Sequence, residues 1–367
     1  MSQNPYQISK QLYKTQANLF YVYTPRWINS SAGVKVLHYL CHALNCAGQD
    51  AYLILSDFPT RTEPRINANL KTPILTKEEA LAHIRAKRFA ITIYPETVPG
   101  NPLGAPRVVR YLLNYAGALG GEKVFPDSDF LLAFSENIAS NYEKTSHVKI
   151  TTTLFLPPVD PREFQFNRAK GNFQVVYAGK YRTFVGPPPK VGNLPSIEIL
   201  RDGPEMQTRD EVKKLLSAAR VMYTFENTSL ITEAILSGTP VLGVKNDFFT
   251  ELIAEHETGT GGFEFLQSNT SFNEAEKSVH QGSADYKKTV EDFNEKLHLF
   301  VERSVNFFET NNNPKLIRLR TDRILFINHK LILSYQIIRS RGFGAFIRMA
   351  YYYLRRRIGL ALLRRNV

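Results

Sequence analysis

VMYTFENTSLITEAILSGTPVLGV, residues Val221 to Val244, decides the fold. It holds an apolar strand, a polar break, a short helix, then Gly238-Thr239-Pro240 and a second apolar strand. Such strand–helix–strand units build parallel sheets. Two carboxylates, Glu226 and Glu233, bracket the break and the first helical turn. A parallel sheet places that junction at the carboxyl ends of its strands, where α/β proteins bind ligands. A lone Glu in a first turn is more often a surface acid complementing the helix dipole. A pair of acids leading into EAILSGTPVL reverses that preference.

The same rhythm extends outward on both sides. LFYVYTP (19–25), AYLILS (51–56), FAITIYPE (89–96) and DFLLAFS (129–135) have strand character, while VKVLHYLCHALNCAG (34–48) and RVVRYLLNYAG (107–117) have helical spacing. The two prolines of LFLPPVD (154–160) interrupt the alternation and mark an interdomain crossing. It resumes with a strand and Gly-Lys loop in NFQVVYAGKYR (172–182), a strand in PSIEILRD (195–202) and a helix in RDEVKKLLSAAR (209–220). A charged helical segment from Ala284 to Phe308 ends at Asn311-Asn312-Asn313-Pro314. The expectation is an α/β protein of two Rossmann-like domains facing a cleft, 1–156 and 157–314. A tail, 315–367, follows.

Composition locates the charge. The chain of 367 residues carries a net +12. From Lys315 onward there are 13 Lys and Arg against one acid, Asp322, leaving 33 basic and 33 acidic residues before it. The body is neutral and the excess belongs to the tail. With two cysteines, Cys41 and Cys46, on one predicted helix, no disulfide framework is expected, which favours a reducing compartment. The N-terminus lacks the apolar core of a signal peptide, and no run approaches the ~18 apolar residues of a membrane span. The expected location is cytoplasmic, peripheral on the inner face of the cell membrane.

Residue chemistry proposes a site. Asn227, Thr228 and Ser229 are capping candidates for the helix that carries Glu233, with Leu230 behind them. The free N–H groups of a first turn attract anions such as a diphosphate, and a carboxylate beside them can accept hydrogen bonds from ribose hydroxyls. Gly179, Lys180 and Arg182 open a loop whose cations suit a diphosphate. In the first half, Glu96 ends a strand before a rigid turn containing Gly100, Asn101, Pro102 and Gly104. Glu226 and Glu96 are the candidate catalytic carboxylates. His38 and His42 have metal-ligand spacing but no evident third ligand, and no metal is expected.

FENTSLITEAILSGTPVLGV resembles the donor-binding segment of nucleotide-sugar glycosyltransferases of the GT-B fold, in particular a large retaining family with paired glutamates. The resemblance implies that Glu233 binds the nucleotide ribose and Glu226 contacts the donor sugar. Six residues separate the two acids here, one fewer than is usual in that family. YAGKYR (177–182) is similar to the basic pair after the first strand of the family's second domain. IYPETVPGNPLGAPRVVRYLLN (93–114) resembles glycosyltransferases of bacterial surface-polysaccharide pathways, and INSSAGVK (28–35) resembles a loop near the donor phosphates or acceptor. The resemblance of these loops implies acceptor-side roles for Asn101, Ser30 and Ser31 and a donor-side role for Gly33. The implied activity is transfer of a hexosyl or deoxyhexosyl group from a nucleotide-sugar, without cofactor or metal, to a glycan or polyprenyl-linked acceptor. Cations would neutralise the leaving diphosphate. A nucleotide-sugar epimerase on the same architecture and a non-catalytic binding protein are the alternatives.

In the tail, Phe343, Ile347, Ala350, Leu354 and Ile358 form one helical stripe, opposite Arg341, Arg348, Arg355 and Arg356. That pattern over 342–365 suits an anionic membrane surface. Packing on the body and nucleic-acid contact are the weaker readings. Truncation after Pro314 is expected to release the protein from anionic liposomes in a flotation assay; undiminished binding would refute the membrane assignment.

Overall fold

The computed structural model describes residues 17–28, 31–56, 66–86, 88–200, 205–268 and 270–311. Ser30 and the basic segment 315–367 lie outside these residues. The described chain forms two compact units, one of residues up to Pro158 together with those from Val290, the other of Val159–Thr289.

The first unit holds a six-stranded sheet in the order β3-β2-β1-β4-β5-β6. Its strands are β1 (Leu19–Thr24), β2 (Asp50–Leu55), β3 (Ile74–Leu75), β4 (Ala90–Pro95), β5 (Val108–Leu112) and β6 (Phe130–Ala133). Every pairing is parallel. Every residue of β4 and β5 is buried, as expected for strands covered on both faces. Helix α1 (Ala32–Cys46) is capped by Ser31 and buries Val34, Leu37, Cys41 and Leu44 at helical spacing. Helix α2 (Lys77–Arg85) starts with a capping box in which Thr76 and Glu79 satisfy each other's backbone N–H groups. Helix α3 (Glu136–Ser146) follows β6.

One expected element is different. Residues 107–117 have helical spacing, yet they supply β5 and a glycine-punctuated loop. A short apolar run fits either period, and here pairing with β4 and β6 decides. The polar residue that completes the helical pattern, Arg110, is buried. Its Nη1 donates to the Val98 carbonyl at 2.8 Å, and its Nη2 to the Gly100 carbonyl at 2.9 Å and to Asp129 Oδ2 at 3.1 Å. The turn at 100–104 therefore leads into a strand.

The second unit holds a five-stranded sheet in the order β11-β10-β9-β7-β8. The strands are β7 (Gln174–Tyr177), β8 (Ser196–Glu198), β9 (Val221–Thr224), β10 (Val241–Gly243) and β11 (Phe263–Phe265). All are parallel. Helices α4 (Gly179–Phe184), α5 (Arg209–Ala218), α6 (Ser229–Leu236) and α7 (Glu255–Thr258) connect them. The expected Gly-Lys loop is thus the first turn of α4. Just past the α6 cap at Ser237 stands Gly238, whose φ of +79° suits glycine, and the Thr239 N–H returns to the Ala234 carbonyl at 2.8 Å. The Gly-Thr-Pro step is thereby a helix stop that turns directly into β10.

Helix α8 (Ser271–Thr310) begins well before the expected Ala284. In the second unit its Tyr286 hydroxyl donates to the Val159 carbonyl at 2.9 Å. In the first, its Phe300 ring lies 6.2 Å from that of Phe20 and its Arg303 donates to the Thr151 carbonyl at 2.7 Å.

The sheet of the first unit depends on Arg110, because removing one partner of a buried ion pair strands the other charge. Asp129→Ala is expected to lower unfolding free energy by about 3–5 kcal/mol in urea denaturation. The double variant Arg110→Met/Asp129→Leu should lose less. A change below about 1 kcal/mol in the single variant would show that the pair does not hold this layer.

Candidate functional site

Strand order defines where a ligand end can form. In the second unit the connections lead from β7 to β8 on one side and place β9 on the other, so the order reverses between β7 and β9. In the first unit the reversal lies between β1 and β4. Open α/β sheets bind ligands outside the carboxyl ends of the strands at such reversals. Tyr177 and Thr224 are paired at the carboxyl ends of β7 and β9. The sequence-selected residues Gly179, Lys180 and Glu226 follow directly.

Glu226 joins the two strand ends. It is 7% exposed, and its Oε2 accepts the main-chain N–H of Lys180 in a short hydrogen bond and that of Tyr181 at 3.2 Å. Burial pushes its carboxyl above the ordinary range, while the Lys180 charge and the two N–H donors pull the other way. The following residues are held as firmly. Thr224 Oγ1 donates to the Glu226 carbonyl at 2.9 Å, and Asn246 Nδ2 to the Phe225 carbonyl at 2.9 Å. The Asn227 side chain donates to the Glu251 carbonyl and accepts the Ile253 N–H, both at 3.0 Å. Thr228 caps α6 by accepting the Leu230 N–H, Ser229 opens the helix, and Leu230 packs into the core. At Gly179 a Cβ would stand 2.7 Å from the Tyr177 hydroxyl, so any side chain there would displace that ring.

The two cations part company. Lys180 is exposed. Arg182 is engaged with Glu198: Nε and Nη2 reach Oε1 at 2.9 and 2.7 Å, and Nη2 reaches Oε2 at 2.5 Å.

Glu233 lies in the second turn of α6, as its fifth residue, not in the expected first turn. It is 2% exposed. Among the described residues its Oε2 accepts no hydrogen bond, and its Oε1 lies 3.8 Å from Arg209 Nη1. Arg209 opens α5 and is fixed from its other side by Glu163, whose Oε2 accepts from Arg209 Nη2 at 2.7 Å and from Arg209 Nε at 3.2 Å. Lys213 Nζ reaches the same oxygen at 2.8 Å. Sequence reading missed Arg209, Lys213 and Glu163. The Thr208–Glu211 capping box, which starts α5 at the ligand end of the sheet, was the available signal for the two cations. Glu163, in a single 3-10 turn after the Asp160 cap, carried none.

In the first unit, Glu96 follows β4 and accepts the Leu113 N–H at 2.9 Å. Burial raises its carboxyl from 4.5 to about 7, against the opposing hydrogen bond and the Arg110 charge. Gly121, at φ +82°, backs onto it so closely that a Cβ would lie 2.1 Å from the Glu96 carbonyl oxygen. Gly33 abuts the same Leu113, at 3.7 Å from its would-be Cβ. Ser31 caps α1, accepting the Val34 N–H at 3.4 Å. Asn101 is occupied by its own loop, accepting from Tyr94 Oη at 3.0 Å and the Ala105 N–H at 2.9 Å, and donating to the Ala105 carbonyl at 2.7 Å.

The histidines serve packing. His38 Nε2 meets the Pro25 carbonyl at 3.0 Å, and His42 Nδ1 accepts the Lys71 N–H at 2.8 Å. Desolvation holds the His42 ring near a pKa of about 4. The chain contains one Asp-x-Asp, Asp127-Ser128-Asp129, whose second acid is committed to Arg110. Among the described residues no three His, Cys, Asp or Glu side chains converge as a metal set. No helix among them is long and apolar enough to cross a membrane.

No family model and no curated protein matches the chain. Among solved structures it is similar to the glycosyltransferase WaaG, involved in lipopolysaccharide biosynthesis, with 11% identity and a TM-score of 0.43 over 86% of this chain and 99% of that one. It is also similar to a glycosyltransferase from Rickettsia africae ESF-5, with 8% identity and a TM-score of 0.48 over 82% and 100% of the two chains. The glycosyltransferase SnogD from Streptomyces nogalater gives 12%, 0.41, 79% and 100% in the same order.

Glu96 makes stability depend on pH. Below about pH 4.5 its carboxyl is protonated in both folded and unfolded chains. Between about 4.5 and 7 only the unfolded chain ionises, so stability falls as pH rises, by roughly 3 kcal/mol in all for a shift of that size. Glu96→Gln should therefore gain stability relative to wild type between pH 4.5 and 7 in urea denaturation. Parallel pH profiles for the two proteins would show that Glu96 ionises like an exposed carboxyl.

Proposed function

We propose that this protein is a glycosyltransferase that binds a nucleotide-sugar donor on its second unit. The observation that carries the proposal is Glu233, a buried carboxylate with one oxygen unpartnered, at the ligand end of a parallel sheet. An unmet acceptor in such a place is costly, and hydroxyl donors from a ribose would satisfy it. Lys180 is the cation for the diphosphate. In the transfer, the anomeric carbon–oxygen bond to the diphosphate breaks, a bond to an acceptor hydroxyl oxygen forms, and that hydroxyl loses its proton. The charge growing on the leaving phosphate is what Lys180 would stabilise. Glu226 supports Lys180 through the backbone and stands beside the donor sugar.

The finer reading follows the resemblance of the sequence. The reaction retains anomeric configuration and needs no metal. The acceptor is a growing glycan on a lipid carrier in bacterial surface-polysaccharide synthesis, and the segment 342–365 holds the enzyme to an anionic membrane face. The concentration of all +12 charges beyond residue 314 supports the last point.

Thermal stabilisation by UDP-, GDP-, dTDP- and CMP-sugars tests the donor site. One nucleotide class should raise the melting temperature of the wild type and leave Glu233→Ala unmoved. A folded wild type that responds to none of the four would overturn the proposal.

A further inference from the structure

Arg209 belongs to neither of the segments that suggested a donor site, yet it is the cation paired with Glu233. The 3.8 Å between its Nη1 and Glu233 Oε1 is an ion-pair distance, too long for the 2.7–2.9 Å of a charge-assisted hydrogen bond. Arg209 is not adrift, because Nε and Nη2 are both committed to Glu163, and Lys213 neutralises the same carboxylate. Its side chain is 48% exposed while Glu233 is 2% exposed, so the guanidinium lies on the solvent side of the buried acid. The pair is therefore held slightly open by a fixed scaffold.

We infer that Arg209 is a specificity-determining residue that, together with Glu233, recognises the vicinal diol of the donor's ribose. This inference rests on the donor-site reading above. A gap of 3.8 Å between a guanidinium nitrogen and a carboxylate oxygen accommodates one bridging hydroxyl, which accepts from Nη1 and donates to Oε1. The second hydroxyl of the diol donates to Oε2, the oxygen that otherwise has no partner. A carboxylate alone accepts from hydroxyls in many orientations. Adding a donor from a fixed direction selects for a hydroxyl that can give and take at once. Glu163 and Lys213 act one step back, as positioning residues for Arg209.

Binding of UDP and GDP, each compared with its 2′,3′-dideoxy form, separates the possibilities by calorimetry. With the ribonucleotide, Arg209→Ala should bind at least tenfold more weakly and Arg209→Lys should recover part of the loss. Glu163→Gln should weaken binding by a smaller factor. With the dideoxy form, wild type and Arg209→Ala should bind alike, and in turnover the donor KM should rise while kcat holds. Equal weakening of both forms would place Arg209 on the phosphates or base, and no weakening would remove it from the site. Either result overturns the inference while leaving the donor site standing, provided Glu233→Gln abolishes wild-type binding. Failure of wild type to bind either ribonucleotide would overturn this inference, and failure with all four nucleotide classes would overturn the donor-site reading as well. The retained melting temperature of Arg209→Ala checks that the exposed substitution leaves the fold intact.

Discussion

The carboxylate of Glu226, accepting the main-chain N–H groups of Lys180 and Tyr181, is the interaction on which the second unit's ligand end depends. A parallel sheet leaves a gap where its strand order reverses, because the loops after the two central strands leave to opposite sides. Here β7 and β9 flank that gap, and beyond the Phe225 N–H bond to the Tyr177 carbonyl a side chain ties their exits together. Glu226 does so from the residue two beyond β9, by satisfying two donors of the first turn of α4. Burying the acid costs free energy, offset by those donors and by the Lys180 charge. Because the acid reaches the backbone of Lys180, it sets where that lysine starts from.

The first unit meets the same geometry with different chemistry. Its reversal lies between β1 and β4, and the acid at that point, Glu96, accepts the Leu113 N–H. Burial raises its carboxyl to about 7 against backbone hydrogen bonds and the Arg110 charge. The loops around it are held by buried polar groups. Arg110 gathers two carbonyls and Asp129, and Asn101 ties its turn to Tyr94 and Ala105. The glycine at 121 lets the following loop pack against the Glu96 carbonyl. In both acids burial raises the carboxyl, and backbone donors and a nearby cation oppose it.

Much of this was legible in the chain. The strand–helix–strand window from Val221, the helix from Ala32 and the central strands follow from short apolar runs separated by polar turns. Misreading 107–117 as a helix has a clear cause: Arg110 supplies a polar residue at helical spacing, and nothing local says that Asp129, nineteen residues on, will pair with it. The second-turn position of Glu233 follows from the cap at Thr228, one of three adjacent residues of capping type. The pairing of Arg182 with Glu198 had no sequence signal, since β7 and β8 bring those residues together across the sheet edge.

By itself the sequence determined the class of architecture, the placement of the acids near strand ends and the separation of a neutral body from a basic tail. Those features are encoded locally, in hydrophobic period, in turn residues and in the count of charges along the chain. Tertiary structure decided what each charged group does. Glu226 became a backbone anchor, Arg182 an ion-pair partner of Glu198, Arg110 a buried brace and Arg209 the neighbour of Glu233. The role of a charge depends on its partners and its distance from water, and folding sets both by joining residues far apart in sequence.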